Sequence, residues 1–414
     1  MAPKPGASTL PLLSVTRAGS HKASRDSLSG EPVTEPALPS RLIQLVPRFR
    51  PDTDGVGDCA LHLGDALWKI YGIASDFLVY NPPRPEATLE MQPFPHAIER
   101  LDGRGAEALN AALDRLLASS SVPPTLLLHY VSYGYAPGGI VTWMPGAIER
   151  FRKRGGRLVS LFHEIYAMGR FPSRTYFASW PQRRVFRSLL AQSDAAFASS
   201  QDFLKRMERE NRGPGTVAMI GICSNVGEPE HPAPLAARKR RIAIFGQFFT
   251  RKRIYERYLP LLQQVAEHFS IEEIADIGLV QDEELMDQRV RGSLGGMLRV
   301  YGRLPAAETS ALLEDSLIGA VSYPYAMRWK SGVVAAYQAH ALAILLFPYE
   351  GEAGPNEPHG PDSWCFSADQ LLLLPTNALK ELQLAASSAH NHYQRFRSSR
   401  SMAETLLPAL VTKR

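Results

Sequence analysis

From residue 41 onward, short β-rich apolar runs alternate with longer stretches of helical spacing, and no other feature of this chain restricts its fold so tightly. A parallel sheet covered by helices on both faces gives such alternation. In the first half the spacing predicts strands near Leu42 to Val46, Phe77 to Tyr80, Thr125 to Tyr130, Leu158 to Phe162, Ala195 to Ala198 and Val217 to Ile220. Helices are predicted over Ala60 to Tyr71, Ala106 to Ala118, Val141 to Lys153 and Gln182 to Gln192.

The alternation stops between Cys223 and Arg240, where VGEPEHPAPLAARKR crowds Pro, Gly and charge together without a period, as a linker does. It then restarts, with strands at Ile242 to Phe245, Ile274 to Leu279, Leu298 to Tyr301, Gly319 to Ser322 and Ile344 to Phe347. Helices are expected at Ile254 to Glu267, Ala306 to Leu313, Gly332 to Ala341 and Thr376 to Phe396. The expected organisation is a flexible Ser-, Pro- and Ala-rich leader over 1–40, a doubly wound domain over 41–222, a linker over 223–240, a second doubly wound domain over 241–380, and C-terminal helices over 381–414. Two such domains leave a cleft between the carboxyl ends of their sheets, where open α/β folds bind ligands.

Composition narrows the function. A chain of 414 residues implies two or three domains. Its net charge of +5 is too small to imply nucleic acid. The cations bunch at Arg238 to Arg241 and Arg251 to Arg253, in clusters that suit phosphate, an anionic membrane surface or water alone. Three cysteines, Cys59, Cys223 and Cys365, lie far apart in sequence and match neither a disulfide framework nor a CxxC metal site, which points to a reducing cytoplasm. No run of 18 apolar residues is present, so no segment is expected to span a bilayer.

Four motifs carry candidate chemistry. Asp54-Gly55-Val56-Gly57-Asp58 follows the first strand, where two glycines let backbone amides approach an anion such as a diphosphate, the alternative being a plain glycine turn. A dinucleotide is disfavoured, because the acidic residue expected about 20 positions on has no clear candidate. His163 and Glu164 end an apolar strand, which would aim the imidazole into the cleft with Glu164 orienting it. The run Phe245-Gly246-Gln247-Phe248-Phe249-Thr250-Arg251-Lys252 is strand, glycine turn and cation; there Arg251 and Lys252 would neutralise a leaving pyrophosphate, against a solvated basic turn as the plain reading. Lys330, Ser331 and Gly332 open a helix and form a second anion cradle, or else a capped helix with a chance lysine. No metal-ligand spacing, DxD triplet, GxSxG elbow or P-loop is present, so catalysis is expected to need neither metal nor cofactor.

Taken in order, DGVGDCALHLGDAL, LVSLFHEIYAMG, LLAQSDAAFASSQDFLKRM, FGQFFTRK and YGRLPAAETSALLEDSLIGAVSYPY followed by KSG resemble the GT-B glycosyltransferases, specifically the bacterial family 4 group of nucleotide-sugar-dependent enzymes. The resemblance runs from about Leu42 to the C-terminus. It implies an α/β fold of two Rossmann-like doubly wound domains facing across a cleft, with a C-terminal helix crossing back. It implies transfer of a hexose from a UDP- or GDP-sugar, held mainly by the second domain, to a hydroxyl of a glycan or lipid-linked acceptor on the first. Peripheral contact with the inner face of a membrane stays open. On this resemblance Gly55 and Gly57 match the glycine loop near the donor diphosphate, His163 the histidine near the donor sugar, and Arg251 and Lys252 the basic pair at the leaving group. Gly246, Lys330, Ser331 and Gly332 add donor contacts, with Glu164 and Asp58 in support.

The chain departs from the family pattern around the helix at Gly332, where two glutamates are usual. The corresponding positions hold Trp329 and Tyr337, and only Glu350 or Glu352 in the next loop offers a substitute carboxylate. The sequence therefore also admits a catalytically silent GT-B protein that binds a sugar nucleotide or a partner transferase, or a GT-B epimerase or phosphorylase.

Overall fold

The computed structural model describes residues 38–39, 41–52, 54–83, 95–120, 122–169, 171–349 and 364–411. Nearly all of the expected leader, together with Glu350 and Glu352, lies outside the described residues. Seven strands build the first sheet: β1 (Arg41–Val46), β2 (Ala74–Val79), β3 (Ala97–Arg100), β4 (Thr125–Tyr130), β5 (Arg157–Phe162), β6 (Ala195–Ala198) and β7 (Thr216–Met219). They lie in the order β3-β2-β1-β4-β5-β6-β7, all parallel. Six more build the second: β8 (Lys239–Phe245), β9 (Glu273–Ile277), β10 (Leu298–Gly302), β11 (Ser316–Ser322), β12 (Ala343–Phe347) and β13 (Cys365–Phe366). Their order is β10-β9-β8-β11-β12-β13, again all parallel.

Strand order reverses between β1 and β4 in one sheet and between β8 and β11 in the other, and crevices open at such points. The central strands explain why they were legible. TLLLHY of β4 and SLIGAVS of β11 are buried at every position, as strands covered on both faces must be. The edge strand β3, AIER, is only partly buried and carries no apolar run, so the spacing did not announce it.

Helix ends moved where caps or prolines act. The helix Gly55–Tyr71 starts five residues before the predicted Ala60, because the Asp54 carboxylate accepts from the amides of Val56 and Gly57. Ser173 caps the helix Arg174–Gln192 in the same way, eight residues before the predicted start. The predicted helix over 254–267 is instead two, Phe248–Arg257 and Leu259–His268, with Pro260 in the first turn of the second, where its missing N–H costs nothing.

The last helix, Ser399–Leu410, leaves the second sheet and packs on the helix Gly55–Tyr71 of the first. Met402, Leu406 and Leu410 share one core with Cys59, Leu63 and Leu67. Each of these fully buried side chains contributes roughly 1.5–3 kcal/mol. Glu228, in the segment between the sheets, accepts from the Tyr393 hydroxyl and from the Ser399 amide at 2.8 Å, so that segment is tied to the returning helices.

Two composition-level expectations change. The basic run at Arg238 to Arg241 is largely consumed inside the fold: Arg238 donates to the carbonyls of Ala233 and Ser316, and Arg241 pairs with Glu273 at 2.9 Å. Cys59 and Cys223, 164 positions apart, bring buried free sulfurs to 3.6 Å. Among the described residues no helix is long and apolar enough to cross a membrane.

Candidate functional site

The glycine turn after β1 does not form the expected anion cradle. Asp54 Oδ1 already accepts from Val56 N at 3.1 Å and Gly57 N at 2.9 Å, so a carboxylate of the chain sits where a phosphate was expected. Gly57 is required for packing instead, since a Cβ there would strike the Arg48 carbonyl oxygen. A Cβ on Gly55 would meet nothing within 4 Å. Asp58, in the first turn, is buried, and burial pushes its carboxyl up to about 7, with Arg50 at 4.0 Å only partly offsetting it.

The turn after β8 differs. Gly246 adopts φ +126°, and a Cβ on it would lie 2.9 Å from Val333 in the first turn of the helix Gly332–Ala339. The two loops at the β8/β11 switch point are thus in contact. No side chain caps the helix Phe248–Arg257. Ser331 caps the helix Gly332–Ala339, its Oγ accepting from Val334 N at 3.2 Å, and its carbonyl accepts from Arg397 at 2.9 Å. Asn225 Oδ1, buried and without a hydrogen-bond partner among the described residues, lies 3.7 Å from the position a Gly332 Cβ would take.

Arg251 does not point into the cleft as expected. Its guanidinium is 1% exposed, pairs with Asp276, and donates to the carbonyls of Gly246 at 2.9 Å and Leu279 at 2.7 Å. Tyr255 also donates to Asp276, so this network ties the carboxyl ends of β8 and β9 together. A charge buried in such a network is held by its partners. Lys252 is half-buried and engaged with Asp282 at 2.7 Å and Glu256 at 3.5 Å.

Of the remaining candidates, Glu164 and Lys330 line one cavity. A cavity of about 190 Å³ is lined by Ser132 and Tyr133 after β4, by the segment Glu164 to Met168 after β5, by Phe203, and by Met327 and Lys330 after β11. Both sheets therefore supply walls from their carboxyl ends. Lys330 Nζ lies 5.2 Å from the centre of the Phe203 ring and makes no hydrogen bond or ion pair among the described residues. Burial lowers the Lys330 ammonium, opposed by the charge of Glu164, and burial raises the Glu164 carboxyl, opposed by Lys330. The charge of each partly offsets the effect of burial on the other. Groups perturbed by burial together with a specific charge partner, set in a cleft, are candidates for a functional site.

His163 stands behind this pair. Burial, helped by the nearby Lys330 charge, lowers its imidazole to about 3, so it is neutral at ordinary pH. Its Nε2 lies 3.2 Å from Nδ1 of His129, whose Nε2 lies 2.8 Å from Gln44 Oε1, and Gln44 donates to Ser75 at 2.8 Å. The sequence reading missed His129, although a histidine near the carboxyl end of an apolar strand is the cue that singled out His163. It also missed Tyr133, Met168, Phe203 and Met327, which come from loops and helix starts that carry no period.

Tyr337 and Trp329 take structural positions. The Tyr337 hydroxyl accepts from Phe245 N at 2.9 Å and lies 3.0 Å from the carbonyls of Ala243 and Ala320, fastening β8 to β11. Trp329 packs on Trp364 and His392 and borders a second cavity of about 400 Å³ beside Arg395 and Phe396. Of these two cavities the smaller is the better candidate, because its walls bring together a desolvated carboxylate and a lysine with no ion pair among the described residues.

No family model matches the sequence, and no curated protein matches it. Solved structures do. HepE of Anabaena, solved with UDP and glucose, is 14% identical over 89% of this chain and 98% of its own, with a TM-score of 0.55. TarM of S. aureus is 8% identical over 92% and 99%, with a TM-score of 0.58. UGT2 of Phytolacca americana, solved with UDP-2fluoro-glucose and pterostilbene, is 9% identical over 89% and 99%, with a TM-score of 0.54. Two parallel doubly wound sheets, facing walls at their carboxyl ends and a last helix returning to the first sheet identify this chain as a member of the GT-B fold.

Proposed function

We propose that the chain is a cytoplasmic glycosyltransferase that moves a hexose from a UDP- or GDP-sugar to a hydroxyl of a glycan or lipid-linked acceptor, without a metal and with retention. The observation that carries this reading is the unpaired Lys330 beside Glu164 and His163, in a cavity walled by both sheets. HepE and UGT2, of the same fold, were solved with UDP and with a UDP-sugar, which supports a nucleotide-sugar donor here.

In this mechanism the donor diphosphate meets the uncapped amides of the helix Phe248–Arg257 and the start of the helix Gly332–Ala339, with Gly246 allowing close approach. Lys330 neutralises charge developing on the leaving group, worth about a hundredfold in rate or more. Neutral His163 supplies a hydrogen bond to a sugar hydroxyl, and the charge of Glu164 opposes the effect of burial on Lys330. Lys252 reaches the site only by exchanging its partners Asp282 and Glu256 for phosphate. Closure of the two halves excludes water and limits hydrolysis.

Calorimetry with UDP and GDP, beside transfer and donor-hydrolysis assays in EDTA, tests the reading. Binding with metal-independent turnover is expected, and absence of nucleotide binding overturns it. The locked Arg251 and the absence of carboxylates at Trp329 and Tyr337 favour, as a second reading, a silent GT-B protein. Binding without turnover is its signature.

A further inference from the structure

Exposed large hydrophobic side chains are scattered over most of this molecule, but six of the fifteen among the described residues fall between positions 133 and 180. Phe171 is 72% exposed, Trp180 69% and Phe177 58%. They surround Tyr176: ring centroids are 5.4 Å apart for Phe171 and Tyr176, 5.5 Å for Tyr176 and Phe177, and 6.4 Å for Tyr176 and Trp180. Aromatic surface grouped this way and left in water marks a place where something docks.

The charge around the cluster says what. Between Ile165 and Ser193 the sequence holds five arginines and no Asp or Glu. Arg183 and Arg187 share a single carboxylate, Glu210, at 2.7 Å each, leaving net positive charge. Arg174 and Arg184 are exposed and have no acidic partner among the described residues. Phe, Tyr and Trp beside unpaired arginines are the composition that settles at the headgroup level of an anionic bilayer, where rings enter the acyl boundary and guanidinium groups meet phosphate. The patch is also continuous with the candidate site. Met168, 46% exposed, and Tyr133, 50% exposed, both line the cavity that contains Lys330, and the backbone amide of Ala167 is held by Gln182 of the helix that carries the aromatics.

We propose that the segment around Phe171, Phe177 and Trp180, flanked by Arg174 and Arg184, docks on an anionic lipid surface and sets the mouth of the Lys330 cavity against it. The proposal extends the reading of that cavity as a transfer site, because the acceptor hydroxyl then arrives along the membrane plane. The docking itself is independent of any turnover.

The test is co-sedimentation of the full-length chain with phosphatidylcholine vesicles, with and without phosphatidylglycerol, at low and high salt. The wild type is expected on the anionic vesicles only, with binding weakened by salt. The combined variant Phe171→Ser, Phe177→Ser, Trp180→Ser should lose about tenfold or more in partitioning, and the pair Arg174→Glu, Arg184→Glu a similar factor. Melting temperature and UDP binding should stay unchanged in both, since all five side chains are on the surface and outside the cavity. Equal recovery with both vesicle types, no recovery with either, or partitioning untouched by both variants overturns the proposal. So does a wild-type dimer that the aromatic variant converts to monomer without lipid binding, which would assign the patch to a second copy of the chain. Vesicle binding without nucleotide binding would leave the surface standing and remove the transferase reading; the reverse result would do the opposite.

Discussion

The turns after β1 and β8 begin from the same signal, a strand followed by glycine and then a helix, and end in opposite chemistry. After β1, Asp54 fills the helix N-terminus with its own carboxylate and Gly57 closes the turn against the Arg48 backbone. After β8, Gln247 precedes the helix without capping it, and Gly246 lies against the start of the helix Gly332–Ala339. A glycine turn reports only that backbones approach closely. The residue at the cap decides whether the exposed amides still have room for an anion. The two cations of the second half repeat the lesson: Arg251 is consumed by Asp276 and two carbonyls, whereas Lys330 is left in the cavity without an ion pair.

That contrast yields measurable differences. Arg251→Met strands Asp276 in the interior and should cost about 3–5 kcal/mol of stability in denaturant unfolding. If it instead unfolds like the wild type but loses turnover, Arg251 belongs with the chemistry and the contrast collapses. Lys330→Met should do the reverse, lowering turnover about a hundredfold while the unfolding midpoint holds or rises, because a desolvated ammonium is removed. Gly57→Ala should cost about 1–3 kcal/mol from the forced backbone contact, against roughly 0.5 kcal/mol or less for Gly55→Ala. Equal effects at the two glycines would mean the turn is looser than described.

The smallest expected effect is one of slope. A histidine whose folded pKa is depressed binds its proton more readily when unfolded, so the stability it contributes is present above about 6.5 and lost as pH falls toward about 3. Unfolding followed between those values should show a shallower decline for His163→Gln than for the wild type. His62, His129 and His340, also lowered by burial, would retain the rest of the histidine contribution to the slope. An unchanged slope would place the His163 ring in contact with water.

The architecture was readable because central parallel strands such as β4 and β11 are apolar at nearly every position, and the break in alternation falls between the sheets. The edges were not: β3 is half-exposed, and β13 has only two residues. Glu164 and Lys330, which line the candidate cavity, and His163 behind them were singled out because strand ends and helix starts have sequence signatures. The burial of Arg251 was hidden because it lies in a helix and its partner Asp276 in the strand β9, and sequence spacing carries no information about such pairings. Asp54 was visible as a cap, yet its consequence for Gly55 and Gly57 emerged only from its hydrogen bonds.

A crystal structure with UDP bound tests the central claim most directly. The account predicts the diphosphate at the second sheet, against the amides following Gly246 and at Gly332, with Lys330 Nζ within reach of it. Diphosphate at the start of the helix Gly55–Tyr71, displacing the Asp54 carboxylate, would contradict it.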